Sequence, residues 1–172
     1  MIRKLLPFLL LALMFVAPSS FAADPNEKDI LKDPMWTGLI PPERLGLKIL
    51  PELKDEAVRV ETGWPVTVNL TTVDMRSLHL DQTTVTFSAD LKGDFSGNAN
   101  LEMWLHVPGG MGGNFHRQSL DRPLQGKSPA WSRYQTSFTL TQGQVPDKAY
   151  LNLVINGRGT VWFRNVQFTH NP

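Results

Sequence analysis

The stretch that decides the fold is TVTFSADLKGDFSGNANLEMWLHV, residues 84–107. Apolar residues occupy every second position in its first part, 84–91, and again in its last part, 101–107. A period of two is the pattern of a strand that buries one face. The intervening Gly93–Asn100 is rich in glycine and asparagine, so it predicts the turn of a hairpin. The residues predicted to face the core are Val85, Phe87, Ala89, Leu91, Leu101, Met103, Leu105 and Val107.

The same pattern continues towards the C-terminus in three further runs, at 133–140, 149–155 and 160–168. Loop-forming residues separate the runs at Pro108–Gly113 and Thr141–Asp147. No long amphipathic helix is present in the pattern. Many short strands with turn signals predict an all-β domain, an antiparallel two-sheet jelly-roll sandwich.

The N-terminus has the anatomy of a secretory signal. Arg3 and Lys4 precede an apolar run from Leu5 to Ala17, and small residues at 20 and 22 mark a cleavage site. The run contains Pro7 and is shorter than the roughly 20 residues of a spanning helix. We therefore expect cleavage near Ala22, a periplasmic or secreted location and no stable membrane insertion.

The composition argues against several classes of partner and site. Without residues 1–22 the chain keeps 150 residues, with 15 Lys plus Arg against 16 Asp plus Glu. This balance gives no reason to expect nucleic acid as a partner. The chain has no cysteine, which excludes thiol chemistry and thiolate metal sites. Its four histidines lack the short spacings of zinc sites.

Residues 23–56 form a polar segment punctuated by prolines. The pattern predicts an irregular arm with helical turns around Glu27–Leu31 and Pro42–Leu45. Apolar residues within it indicate that the arm packs on the domain. The predicted organisation is a signal peptide at 1–22, this arm at 23–56 and the sandwich at 57–172.

The order of motifs between Ala89 and Phe168 resembles the galactose-binding-like jelly-roll domains, an architecture shared by many carbohydrate-binding modules. The resemblance implies the sandwich fold and a non-catalytic binding function, although adaptors and enzyme appendages share this fold. The residues that carry it are Ala89-Asp90-Leu91, Leu101 to Val107, Asp121-Arg122-Pro123-Leu124 with Gly126, Trp131-Ser132-Arg133-Tyr134 and Gly159 to Phe168.

One position departs from that family. Its last strand often carries an acidic residue where this chain has Arg164. Calcium requires several oxygen ligands, and a guanidinium beside them opposes the charge balance. We therefore expect neither a structural calcium ion nor another cofactor.

The outward face of the predicted strands provides the candidate ligand site. An aromatic ring surrounded by amide, guanidinium and carboxylate groups is suited to bind a sugar. In the alternative interpretation, the N-terminal arm covers this face and Trp104 packs beneath it. The remaining tryptophans, Trp36, Trp64, Trp131 and Trp162, are interpreted as packing residues. The predicted ligand-binding residues are Glu102, Trp104, His106, Arg133, Tyr150 and Asn152, with Gln135 and Asn156 nearby.

Three functional hypotheses remain open. The leading one is an exported, non-catalytic binder of a glycan or another polar ligand. The second is an exported protein-interaction or host-contact factor, of the fitness or virulence kind, that uses the arm or the loops. The third is a small glycoside hydrolase in which Asp90 and Glu102 form a carboxylate pair across the predicted hairpin. The glycine-rich loop at Pro108–Gly113 is either a mobile loop that borders the binding site or a flexible connection without a role in binding.

Overall fold

A computed structural model describes residues 28–29, 31, 47–52, 56–109 and 113–171. In this part of the chain, no helix is long and apolar enough to cross a membrane. The described residues form eight strands, all paired antiparallel. They are β1 (Lys28–Asp29), β2 (Leu47–Glu52), β3 (Ala57–Thr62), β4 (Val66–Asp74), β5 (Thr84–His106), β6 (Asn114–Gln118), β7 (Leu124–Thr139) and β8 (Lys148–Asn171).

A ribbon of the two longest strands, β5 and β8, organises the fold. Their pairing runs from Thr84 opposite Asn171 to His106 opposite Lys148. One face of this ribbon is buried on both sides of its central glycines, as the period of two predicts. Its fully buried members include Phe87, Leu91, Leu101, Met103, Leu151, Leu153, Phe163 and Phe168, which belong to one core cluster.

The ribbon crosses from one sheet to the other at its glycines. Gly97 pairs with Gly157, and a Cβ on either would overlap a carbonyl oxygen of the facing strand. Gly97 and Gly159 also have positive φ angles, 94° and 130°, which favour glycine. The prediction of a hairpin turn at Gly93–Asn100 is therefore wrong. The glycines allow two backbones to approach closely within one continuous ribbon.

Each half of the ribbon belongs to one sheet of the sandwich. In the first sheet the order is β6, the second half of β5, the first half of β8, then β4. In the second sheet it is β7, the first half of β5, the second half of β8, β3 and β2, while β1 also pairs with β8. The inner faces form the core. The predicted all-β jelly-roll sandwich is thus confirmed.

Parts of the predicted arm are strands. Lys28–Asp29 pairs with β8 rather than forming a helical turn, and Leu47–Glu52 pairs with β3. Pro51 is accommodated because β2 is the edge of its sheet, where a missing backbone N–H is tolerated. The helical turn predicted at Pro42–Leu45 lies outside the described residues.

Candidate functional site

The outer face of the first sheet carries two neighbouring rows of side chains. We call this surface the Trp104 face and define it by Glu102, Trp104, His116, Gln118, Tyr150 and Asn152. Trp104 lies opposite His116 of β6 and Tyr150 of β8. Glu102 lies opposite Gln118 and Asn152 on the same two strands. Strand register therefore aligns an aromatic row beside a polar row.

The aromatic row is open to solvent. Trp104 is 40% exposed and Tyr150 is 38% exposed. The ring of His116 lies against Trp104, with 4.4 Å between centroids and 37° between planes. Both interpretations of Trp104, facing a ligand or covered by the arm, stay predictions. Residues 32–46 of the arm lie outside the described residues.

The polar row is a hydrogen-bonded chain across four strands. Asn69 of β4 donates to Asn152 Oδ1 at 2.8 Å, and Asn152 Nδ2 donates to Glu102 Oε1 at 2.9 Å. On the other side, Gln118 Nε2 donates to Glu102 Oε2 at 2.7 Å. His116 Nε2 lies 2.9 Å from the same oxygen, so it carries the proton. A network satisfied in this way holds its members in one geometry.

Glu102 is the centre of that network. Only 8% of the residue is exposed, and its carboxylate has three side-chain partners: Asn152, His116 and Gln118. Burial raises the pKa of Glu102, but the hydrogen bonds from Asn152, His116 and Gln118 hold it below its ordinary value of 4.5. The carboxylate is therefore charged at neutral pH and anchors both rows.

This lowered pKa makes the stability of the domain pH-dependent. A carboxylate with a depressed folded pKa contributes stability above its unfolded pKa, here 4.5, and loses it as the pH falls through the folded value. We expect the melting temperatures of wild type and Glu102→Gln to differ by a constant amount from pH 7 to about 5, and to converge below that range. Thermal melts across pH measure this difference. If the two melting temperatures differed as much at pH 3 as at pH 7, the lowered pKa of Glu102 would be contradicted.

His106 lies at the end of the same face. Its Nδ1 is 2.5 Å from Asp147 Oδ1, and the backbone N–H of Asp147 donates to the His106 carbonyl oxygen at 2.9 Å. These two contacts tie the end of β5 to the loop before β8. His106 therefore borders the Trp104 face, while its imidazole is engaged with the loop.

Arg133 lies on the other sheet, so its predicted place beside Trp104 is wrong. It is opposite Asp90 on β5. Its guanidinium donates to Ser88 Oγ at 2.7 Å and the Asn165 carbonyl oxygen at 2.6 Å, and also contacts Asp90 and Gln167. The sequence alternation correctly faces Arg133 outward, but β7 pairs with the half of β5 that lies in the second sheet.

Asp90 and Glu102 do not form the predicted carboxylate pair. Both lie on β5, on opposite sides of the glycine crossing, and face outward from different sheets. Packed sheets are about 10 Å apart before outward side chains are added, which exceeds the separation that glycoside hydrolysis requires. Asp90 instead accepts a hydrogen bond from Asn165 Nδ2 at 2.7 Å and lies 3.8 Å from the Arg164 Nε.

The tryptophans of the second sheet are engaged with cations. Lys92 Nζ lies 4.5 Å from the ring centre of Trp131 and 5.4 Å from that of Trp162. The Trp162 indole donates to Glu52 Oε2 at 2.8 Å, and Arg164 covers Trp131 at 4.3 Å. Both therefore act as packing residues. Trp64, predicted to pack, is instead 43% exposed in the turn after β3.

Three members of the network were missed from the sequence. His116 and Gln118 lie in a segment for which no strand was predicted, and Asn69 was not connected with this face. Polar residues at 114, 116 and 118 alternate around Phe115, which is the only signal that could have indicated a strand there. Its pairing with β5 could not be read from so short a segment.

Comparisons with known proteins establish the fold. A solved structure described as "CBM4 structure and function" has 12% sequence identity and a TM-score of 0.50, covering 73% of this chain and 78% of that chain. The domain shares the jelly-roll fold of that structure. The CBM22-1 xylan-binding domain of Paenibacillus barcinonensis Xyn10C is also similar, with 15% identity and a TM-score of 0.48, covering 73% of this chain and 81% of that chain. A cyclase from Fischerella sp. TAU has 13% identity and a TM-score of 0.49, covering 67% of this chain and 63% of that chain.

No protein-family model and no curated protein sequence matches the chain. At these identities the likeness concerns the path of the backbone, and the jelly roll carries many functions.

Proposed function

We propose that this chain is an exported, non-catalytic protein that binds a glycan on the Trp104 face. The observation that carries the proposal is the exposed pair Trp104 and Tyr150, opposite each other on β5 and β8 beside a row of fixed hydrogen-bonding groups. Sugar rings combine apolar C–H faces with polar edges. An aromatic surface next to ordered amide and carboxylate groups is complementary to both.

The geometry supports binding of an extended ligand. The His116, Trp104 and Tyr150 positions lie on adjacent strands, and neighbouring strands are about 4.8 Å apart. The aromatic row therefore spans about 10 Å across the sheet. The hydrogen bonds of Glu102 fix His116 and Asn152 before a ligand arrives, which lowers the entropy cost of binding.

Export is the second part of the proposal. The basic N-terminus, the apolar run and the small residues before Ala23 support secretion with cleavage near Ala22. An extracytoplasmic location would give the domain access to polysaccharides outside the cell.

The proposal predicts the effect of removing the central ring. In a glycan-array screen of the purified protein, Trp104→Ala should weaken binding at least about 30-fold, equivalent to about 2 kcal/mol, which is typical of a central aromatic contact. The melting temperature should change little, because Trp104 is 40% exposed.

Trp64→Ala is the matched control, since that ring is 43% exposed in the turn between β3 and β4. It should bind like wild type. Equal binding by Trp104→Ala and wild type would place the ligand elsewhere. Absence of binding across the array would favour the protein-interaction hypothesis, and a pull-down would then be the next experiment.

A further inference from the structure

A second concave region lies at the open edge of the sandwich, between β6 of the first sheet and β7 of the second. It is a cleft of about 680 Å³. Residues 116–118 line one side and residues 133–137 line the other, with Leu120, Asp121 and Arg122 at the connection. His116 and Gln118 also belong to the Trp104 face, so the cleft and that face border each other at β6.

Arg117 points into the gap between the two sheets. Side chains alternate along β6, and Phe115 packs inward against Phe138 with 4.8 Å between ring centres. Arg117 is two residues further on and therefore shares that side. His116 and Gln118 point the other way, towards Glu102.

Two cationic side chains of the cleft are available for a ligand. Arg117 and Arg122 are both exposed, and within the described part of the chain neither guanidinium has an ion-pair or hydrogen-bond partner. Arg133 differs, because its guanidinium is engaged over Asp90. Of the described residues that line the cleft, only Asp121 carries a carboxylate. The cleft therefore has an excess of positive charge.

The rest of the cleft is suited to the body of a sugar unit. Leu120 is 57% exposed at the cleft, and Tyr134 is buried beneath it. Arg122 lies over the Tyr134 ring at 5.7 Å from its centre, which orients the guanidinium. Burial raises the pKa of Tyr134, so its hydroxyl remains protonated. Apolar surface beside two planar guanidinium groups is complementary to a ring that carries an anionic substituent.

We propose that this cleft binds a carboxylate- or sulfate-bearing unit of an acidic polysaccharide. Arg117 and Arg122 bind the anionic group, because the fork of a guanidinium matches the paired oxygens of a carboxylate or sulfate. Leu120 contacts the ring of the same unit, and the buried Tyr134 supports Arg122 from below. The residues that bind the anionic group are separate from those of the Trp104 face, although the two surfaces border each other at β6.

Binding of the purified protein to two matched pairs of polymers tests this inference. Polygalacturonate is compared with its methyl ester, and dextran sulfate with dextran, so that each pair differs in charge. We expect binding to at least one charged polymer and at least tenfold weaker binding to its neutral counterpart. The charged polymer that binds distinguishes a carboxylate from a sulfate site. Binding should weaken as salt is raised, since exposed charges are screened.

The double variant Arg117→Gln/Arg122→Gln should lose at least about tenfold in affinity for the charged polymer. The control Lys127→Gln/Arg158→Gln removes the same charge near the glycine crossing, where Lys127 lies opposite Asp94 and Arg158 opposite Ser96. It should bind like wild type. Equal losses in both variants would show binding to net charge alone and overturn the proposal, as would failure to bind either charged polymer.

The Trp104→Ala variant distinguishes binding at the cleft from binding at the Trp104 face in the same assays. If the cleft acts as proposed, this variant retains charged-polymer binding even if the Trp104 face proves to bind no glycan. If Trp104→Ala abolishes charged-polymer binding and the double arginine variant does not, the cleft proposal fails while the Trp104 face gains support.

Discussion

A Gly157→Ala variant should fail to fold, or lose at least about 4 kcal/mol of stability, the range reached only by severe backbone or core defects. Gly157 lies opposite Gly97 where the β5–β8 ribbon crosses between sheets. A Cβ at this position would overlap the backbone carbonyl oxygen of Ser96. Because that oxygen belongs to the main chain of the partner strand, relief requires separating the two strands rather than turning a side chain.

The consequence extends to both sheets, since the two halves of the ribbon lie in different sheets and their buried residues form one core. Circular dichroism and thermal melts of the purified variant measure the effect. Gly63→Ala is the matched control, because a Cβ there meets no atom within 4 Å. A Gly157→Ala melting temperature within a few degrees of wild type would show that the crossing tolerates a side chain.

A Glu102→Gln variant should lose about 1–3 kcal/mol of stability, because it leaves a buried donor without an acceptor. One carboxylate oxygen accepts from Asn152 Nδ2 at 2.9 Å, and the other accepts from Gln118 Nε2 at 2.7 Å. In either orientation, the new amide places its NH₂ group against one of these donors. For a domain of this size, the loss lowers the melting temperature by about 3–10 °C.

The same substitution should weaken glycan binding, since it releases His116 from the position in which its ring lies against Trp104. Glu61→Gln is the matched control. Its carboxylate pairs with Arg59 at 3.3 Å and is 35% exposed, so its removal should change stability by less than about 1 kcal/mol. If the two variants melted at the same temperature, Glu102 would not anchor a buried network.

The Trp104 face and the edge cleft share the strand β6 but use its opposite sides. His116 and Gln118 complete the hydrogen bonds of Glu102, whereas Arg117 faces the cleft. The two sites thus differ in chemistry: one offers exposed aromatic rings, and the other offers unpaired guanidinium groups. A polysaccharide with both neutral and acidic units would be complementary to the two surfaces together.

The sequence by itself determined which residues enter the core and which face outward. The alternation at 85–91, 101–105 and 149–155 gives every buried apolar residue on those runs, because side chains on a strand alternate regardless of the strand's neighbours. It also determined that Glu102 and Trp104 lie on the same face of β5, and that Tyr150 and Asn152 lie on the same face of β8.

Only the tertiary structure decided which of these faces meet. Gly93–Asn100 has the composition of a turn, yet it continues a strand, because the facing glycines of β8 leave room for a close crossing. Arg133 faces outward as predicted but on the second sheet, and His116 and Gln118 reach Glu102 through the pairing of β6 with β5. Local periodicity sets the orientation of a side chain on its own strand, whereas a site across several strands depends on long-range pairing, which packing of the whole core selects.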